Sequence, residues 1–325
     1  MTEATTKTDA RGNVADVRTI ACIGAGTIGA GWAAYFLAKG YHVRIWDPAP
    51  DAAPKVRQLI DAAWPALTQL GLAAEASPDN FTVHTDIAEA VAGVGFVQES
   101  APEVLELKQN LLADIDAATA GGVVIASSTS GYSMTDMATR ATNPSRLVVG
   151  HPFNPPYLIP LVEVVGGEAT SAAAVQWAAD FYEYIGKSVI KMDCEVPSFI
   201  ANRLQEALWR EALHMIDNGE ATVEQIDRSI TDGPGLRWPI HGPMTTFHLA
   251  GGQGGMRHML EHFGPSLKSP WTRLTAPELT DDLREAVIAG VDAAEERSVN
   301  DLIIERDAAI IAVRNVIDEI KGRRV

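Results

Sequence analysis

The sequence predicts an α/β protein: a mostly parallel sheet with helices on its faces, followed by an all-helical C-terminal region. Three observations carry this. Short apolar runs recur between Arg18 and Met192 and alternate with stretches of helical periodicity. A glycine-rich turn, Gly24-Ala25-Gly26-Thr27-Ile28-Gly29, joins the first such run to the first helix. Past Glu195-Val196-Pro197 the apolar residues fall at helical spacing. The expected layout is a disordered lead over 1–16, a sheet domain over 17–196 and a helical domain over 197–325.

Each element follows from its own signal. A strand over 18–23 meets the glycine turn. The helix after it, 28–38, carries Ala30, Gly31, Ala33 and Ala34, small enough to lie close on a sheet, and ends where Gly40 offers a left-handed cap. A strand over 41–46 stops at Asp47. Helix 51–70, strand 81–85 and a short helix 87–92 continue the alternation. Strand 95–98, helix 105–118 and strand 123–126 come next, then strands 147–150 and 161–165, helix 172–184 and strand 188–192. In the second half, Ile200, Leu204, Leu208, Ala212 and Met215 predict one long helix with a core-facing stripe. Further helices are predicted over 223–231, 244–250, 253–263, 281–289 and 298–319.

Composition narrows the class. With 325 residues, 46% hydrophobic and 21% charged, the chain can bury two cores. A formal net charge of −16 argues against nucleic acid as a partner. Two cysteines, Cys22 and Cys194, make no disulfide framework, which points to a reducing compartment and a cytoplasmic protein. The uncharged stretch 19–38 has bilayer-spanning length, but Gly24, Gly26 and Gly29 break it into strand, turn and helix, so no membrane association is expected. The first sixteen residues lack the order of a secretory signal.

The glycine turn and Asp47 together read as a Rossmann-type dinucleotide site. Gly24, Gly26 and Gly29 permit a tight turn and close approach of a pyrophosphate, which would sit on the helix N-terminus at Thr27 and Ile28. Asp47 lies at about the 20-residue spacing of a ribose-binding acid, and its charge would repel a 2′-phosphate. That combination predicts NAD. Residues at the carboxyl ends of the strands line the crevice of such a sheet, which nominates Glu103, Lys108 and Ser127-Ser128-Thr129-Ser130. The serine–threonine run also reads as a plain loop with a helix cap.

His151 opens a proline-stiffened loop, His151-Pro152-Phe153-Asn154-Pro155-Pro156, and Glu163 follows inside an apolar run. A glutamate between Val162 and Val164 on a buried strand needs a partner, and an imidazole would satisfy it. After a dinucleotide signal, the pair reads as the acid–base centre of a hydride transfer. Asn202, near the start of the long helix, either caps it or reaches the crevice. His258-Met259-Leu260-Glu261-His262 matches a zinc-peptidase pattern, but no third ligand stands out downstream and no metal is expected.

These residues resemble the 3-hydroxyacyl-CoA dehydrogenase superfamily from about residue 17 onward. The resemblance rests on Gly24-x-Gly26-x-x-Gly29, Trp46-Asp47-Pro48, Gln98-Glu99-Ser100-Ala101-Pro102-Glu103, Ser127 to Ser130, Gly150 to Pro155, Leu161 to Gly167 and Phe199 to Leu204. Within it, Ala207 to Ala212, Gly235-Leu236-Arg237-Trp238, Leu249 to Gly252, Gly255 to His258, Pro270-Trp271-Thr272 and Ala276 to Thr280 resemble the carnitine-oxidising branch. Two departures are Ser198, where many relatives have glycine, and Ser128, where many have asparagine.

The resemblance implies His151 as catalytic base with Glu163 as its partner, and Ser130 and Asn202 as hydrogen-bonding groups for the substrate oxygen. Glu103, Lys108 and Asn154 match cofactor-side positions. The expected substrate is L-carnitine, whose trimethylammonium needs aromatic faces. Trp238, Phe247, Trp209 and Tyr132 are the candidates, with Trp238 preferred for its place in the Gly-Leu-Arg-Trp run, each reading equally well as core. Arg237 is the candidate for the carboxylate. A 3-hydroxyacyl-CoA and L-gulonate are the alternative substrates, and a non-catalytic crystallin-like dinucleotide-binding protein is the remote alternative. Relatives lead to the expectation of a homodimer.

Overall fold

A computed structural model describes residues 11–239, 241–263, 278, 280–283, 285 and 299–320. The chain divides into two compact units, Met1–Ile200 and Ala201–Val325.

The first unit is built on one eight-stranded sheet. Its strands are β1 (Thr19–Ile23), β2 (His42–Trp46), β3 (Phe81–His84), β4 (Phe96–Glu99), β5 (Val124–Ser127), β6 (Leu147–Pro152), β7 (Leu161–Gly166) and β8 (Ser188–Lys191), in spatial order β3-β2-β1-β4-β5-β6-β7-β8. Neighbours are parallel except β6 and β7, which run antiparallel. That exception sets the site. In the β6–β7 register His151 stands opposite Glu163, and directly opposed residues project from the same face.

Helices cover both faces, as a parallel sheet requires. On one side lie α1 (Thr27–Ala38) and α2 (Ala52–Leu70), joined by α6 (Ala172–Tyr184). Their core is aromatic: Trp32 stacks on Phe36 at 5.2 Å, and Phe96 meets Phe181 at 4.5 Å. On the other side α3 (Ile87–Val91), α4 (Leu105–Ala118) and the short α5 (Met134–Met137) bury Val91, Leu112, Ile115, Met134 and Met137 against Ile23, Val97 and Ile125. Cys22 is buried and free, and burial pushes its thiol pKa far up, so it stays an inert thiol.

The second unit is helical among its described residues: most of α7 (Ile200–Asp217), then α8 (Val223–Thr231), α9 (Pro243–Ala250), α10 (Gly255–Phe263) and α11 (Val299–Ile320). Thr222 and Gln225 close a reciprocal capping box on α8. No described helix is long and apolar enough to cross a membrane.

The predicted elements lie within a few residues of those observed, with three differences. α5 lies where the sequence predicts no helix, because four residues carry no period to detect. Residues 11–16 depart from the expected disordered lead: Asn13 caps a 3₁₀ turn over Val14–Asp16, the Arg11 guanidinium donates to Ser171 Oγ (2.9 Å), and Trp177 Nε1 donates to the Gly12 carbonyl (2.7 Å). Tertiary hydrogen bonds hold a stretch whose composition reads as loop; 1–10 lie outside the described residues. The α7 stripe is also corrected. Ile200, Leu204 and Leu208 are exposed, and among the described residues of α7 only Leu213 is buried. The spacing gives the helix, but the side chains on that face are left largely open. The helix expected over 281–289 falls mostly outside the described residues, as do Pro270-Trp271-Thr272.

Candidate active site

The glycine turn is shaped as a cradle. Gly24 has φ +102°, and a Cβ there would come within 2.7 Å of the Ser100 carbonyl oxygen. A Cβ on Gly29 would strike the Gly24 carbonyl at 1.9 Å, whereas one on Gly26 would meet nothing within 4 Å. Two glycines therefore close the turn, and the third faces open space. Gly26 is also the N-cap of α1 and offers its first turn no side chain, so the helix start at Thr27 and Ile28 presents amides to an anion. Asp47 is fixed beside it: Oδ2 accepts the Ala25 N–H (2.8 Å) and Oδ1 the Ala49 N–H (2.9 Å). A pyrophosphate on the open turn with a ribose at Asp47 fits this donor and acceptor set.

Next to the cradle lies a buried charged cluster. Glu99 ends β4, and Lys108, on α4, donates to both its oxygens at 2.9 and 3.2 Å and to the Ala101 carbonyl at 3.1 Å. The side chains of both residues are at most 1% exposed. Glu99 Oε2 also accepts from Ser127 Oγ, and Oε1 accepts the Ala101 N–H at 2.6 Å. Lys108 reaches a second carboxylate, Glu103, at 3.5 Å. Glu103 Oε1 in turn accepts from Thr129 Oγ1 (2.6 Å), the Ser130 N–H (3.0 Å) and the Gly131 N–H (3.2 Å). Glu99, Lys108 and Glu103 thus hold the loop carrying Ser130 by charge-assisted bonds.

The acid–base pair lies on β6 and β7. His151 Nδ1 is 2.9 Å from Glu163 Oε2, and their side chains are 5% and 0% exposed. Glu163 Oε1 accepts the Ile200 N–H at 2.9 Å, so each carboxylate oxygen has a donor. The imidazole meets Phe153 and Phe199, each with ring centroids 5.0 Å away. Because Glu163 must accept, Nδ1 carries the proton and Nε2 is the basic nitrogen. Behind it, a Cβ on Gly150 would strike the Tyr182 hydroxyl at 2.1 Å, so only glycine fits before the histidine. That hydroxyl donates to Gln98 Oε1 (2.5 Å), and Gln98 Nε2 donates to Ser128 Oγ (2.8 Å). Burial pushes the Tyr182 phenol well above its ordinary pKa, which keeps it a donor.

The first unit therefore joins His151 to Glu163, Ser130 to Glu103 and Lys108, and Asp47 to the glycine turn. Asn154, next to Phe153, is exposed. Asn202 is half-buried in the first turn of α7 and belongs to the second unit, as do Arg237, Trp238 and Phe247. Arg237 and Phe247 are exposed and Trp238 is half-buried. The His258 and His262 rings stack 5.7 Å apart on α10, and no group of three potential metal ligands occurs among the described residues.

Residues 19–195 match the NAD binding domain of 3-hydroxyacyl-CoA dehydrogenase, and 199–294 match its C-terminal domain. The chain belongs to the 3-hydroxyacyl-CoA dehydrogenase family. As a member it is an NAD-dependent dehydrogenase acting on a CH–OH group. Similar curated members of the family are named L-carnitine dehydrogenase. That of Streptomyces coelicolor is 69% identical over 92% of this chain and 94% of its own length. That of Nocardiopsis dassonvillei is 63% identical over 94% and 93%, and that of Pseudomonas putida 47% identical over 95% and 97%. A solved 5-formyl-3-hydroxy-2-methylpyridine 4-carboxylic acid 5-dehydrogenase superposes with a TM-score of 0.83 at 28% identity, covering 93% of this chain and 99% of its own. The (S)-3-hydroxybutyryl-CoA dehydrogenase of Ralstonia eutropha gives 0.63 at 27%, covering 84% and 94%.

Residue reasoning left two members of this site without a role. Glu99 was legible as an acid ending an otherwise apolar strand run, with Lys108 on the following helix. Phe199 carried no signal of its own, since nothing in an isolated Ser-Phe-Ile says that the ring lies on a histidine far back in the chain.

Proposed function

We propose that the chain oxidises the 3-hydroxyl of L-carnitine to 3-dehydrocarnitine, with His151 as general base. The observation that carries the chemistry is the buried His151–Glu163 pair, which commits Nδ1 and leaves Nε2 to take the hydroxyl proton. The carnitine assignment is supported by relatives of that name at 63–69% identity over most of both chains. The Gly24–Gly29 turn and Asp47 would hold NAD, which would supply the hydride acceptor.

As Nε2 gains its proton the imidazole becomes a cation, and the Glu163 carboxylate both stabilises that charge and keeps the ring from turning. Ser130 and Asn202 hydrogen-bond the substrate oxygen on this reading. Glu103 and Lys108 hold the Ser130 loop, and Glu103, Lys108 and Asn154 serve the cofactor side. Trp238 and Phe247 serve the trimethylammonium and Arg237 the carboxylate, the pairing of aromatic face with quaternary cation and guanidinium with carboxylate that this substrate requires.

The protein works as a homodimer in the cytoplasm. The exposed α7 stripe of Ile200, Leu204 and Leu208 supports self-association, and two free cysteines suit a reducing compartment.

The test measures NAD reduction with L-carnitine, 3-hydroxybutyryl-CoA and L-gulonate, for the wild type and His151→Gln. Turnover of carnitine alone, lost in the variant, is expected. Faster turnover of either other alcohol reassigns the substrate, and an active His151→Gln removes the base.

A further inference from the structure

We infer that Ser198 and Phe199 are positioning residues whose left-handed backbone sets the acid–base pair. The inference rests on the reading of His151 as the base. Ser198 has φ +57° and Phe199 φ +60°, and among the described residues they are the only non-glycine positions with positive φ. Side chains rarely adopt this region, and consecutive residues there persist only where the surroundings impose it.

The surroundings are the site itself. Phe199 is 2% exposed and lies among Val149, Val165 and Met192. Its ring tilts 31° against the His151 imidazole, opposite in kind to Phe153, which meets it edge-on at 62°. The Phe199 N–H donates to the Val196 carbonyl (3.1 Å), tightening the turn. One residue later the Ile200 N–H reaches Glu163 Oε1, while Oε2 faces His151. The left-handed pair therefore does two things in adjacent residues: it lays a ring on the imidazole and delivers an amide to the carboxylate. With both oxygens engaged, Glu163 cannot rotate away from Nδ1, and with rings on two sides the imidazole keeps Nε2 in one direction. Relaxing Ser198 to ordinary negative φ would withdraw both contacts at once, although Ser198 itself is exposed.

The substitutions that separate this from a plain structural role are Ser198→Gly, Ser198→Val and Phe199→Leu. Glycine adopts positive φ freely and valine resists it most. Ser198→Gly is expected to raise Tm and to turn over no more slowly than wild type. Ser198→Val is expected to lose at least tenfold in kcat, with the Kd for NAD, measured by fluorescence titration, within twofold of wild type. Equal losses in the glycine and valine variants would make the hydroxyl, not the backbone, responsible and overturn the inference, as would wild-type kcat in Ser198→Val. If Ser198→Val does not fold, Phe199→Leu decides: kcat at least fivefold lower with NAD affinity retained supports the inference, and unchanged kcat overturns it. An active His151→Gln would instead remove the base assignment, whatever the Ser198 variants do.

Discussion

Two buried acid–base pairs lie at the sheet of the first unit, one between two strands and one between a strand and a helix, and they differ in what is left over. Lys108 and Glu99 are as buried as His151 and Glu163, and both nitrogen–oxygen distances are 2.9 Å. The Lys108 ammonium, however, is spread over Glu99, the Ala101 carbonyl and Glu103. Among the described residues His151 is engaged at Nδ1, and on the proposed function the second ring nitrogen is the one that takes the proton. Burial alone therefore does not nominate a reacting group; what separates the two pairs is a nitrogen left over once the orienting bonds are made.

The comparison breaks first at His151→Gln. Loss of a positioned base costs on the order of 10²–10⁴ in rate, so kcat for the alcohol is expected to fall by that much while NAD affinity and the melting curve hold. Lys108→Met should show the opposite profile. It leaves the Glu99 carboxylate buried without its ion partner, a loss of about 3–5 kcal/mol in stability, read as a lower Tm and denaturation midpoint. Adding Glu99→Gln to that variant should restore much of the loss, because the uncompensated charge is gone.

Glu103 is the group through which the structural pair touches the site. Its side chain is 39% exposed, so solvent screens part of its effect, and Glu103→Gln is expected to lower kcat/KM about tenfold, or about 1.4 kcal/mol. A change smaller than twofold would detach Ser130 from the charged network. The smallest effect is predicted for Tyr182→Phe, which removes the donor to Gln98 behind Gly150. One neutral hydrogen bond is worth about 1 kcal/mol, so Tm should drop by a few degrees with the NAD Kd unaltered.

Much of this was legible in the chain itself. The Gly24–Gly29 turn, Asp47 and the alternation of apolar runs specify a dinucleotide-binding sheet, because glycine positions and hydrophobic period are local properties. His151 and Glu163 were recognisable as a pair for a related reason: a carboxylate inside Val162 and Val164 demands a partner. The departure at Ser198 was visible as well, but its consequence was not. Only the coordinates show φ +57° there and the ring of Phe199 on the imidazole.

Other features needed the tertiary structure altogether. The antiparallel β6–β7 register decides that His151 and Glu163 face each other, and no local propensity encodes which strand lies beside which. The same holds for Lys108, whose motif position pointed to the cofactor side and whose ammonium is held by Glu99. It holds for residues 11–16, whose order comes from Ser171 and Trp177 far along the chain. The α7 stripe is the converse case. Its period was determined by sequence, but burial is a property of what packs against a face, and in the single chain Ile200, Leu204 and Leu208 remain exposed. Sequence by itself determined most of the elements, the glycine turn and the demand of Glu163 for a partner. Tertiary structure decided which buried pair is saturated with partners and which is engaged at one ring nitrogen, because hydrogen-bond partners are assigned between elements rather than along them.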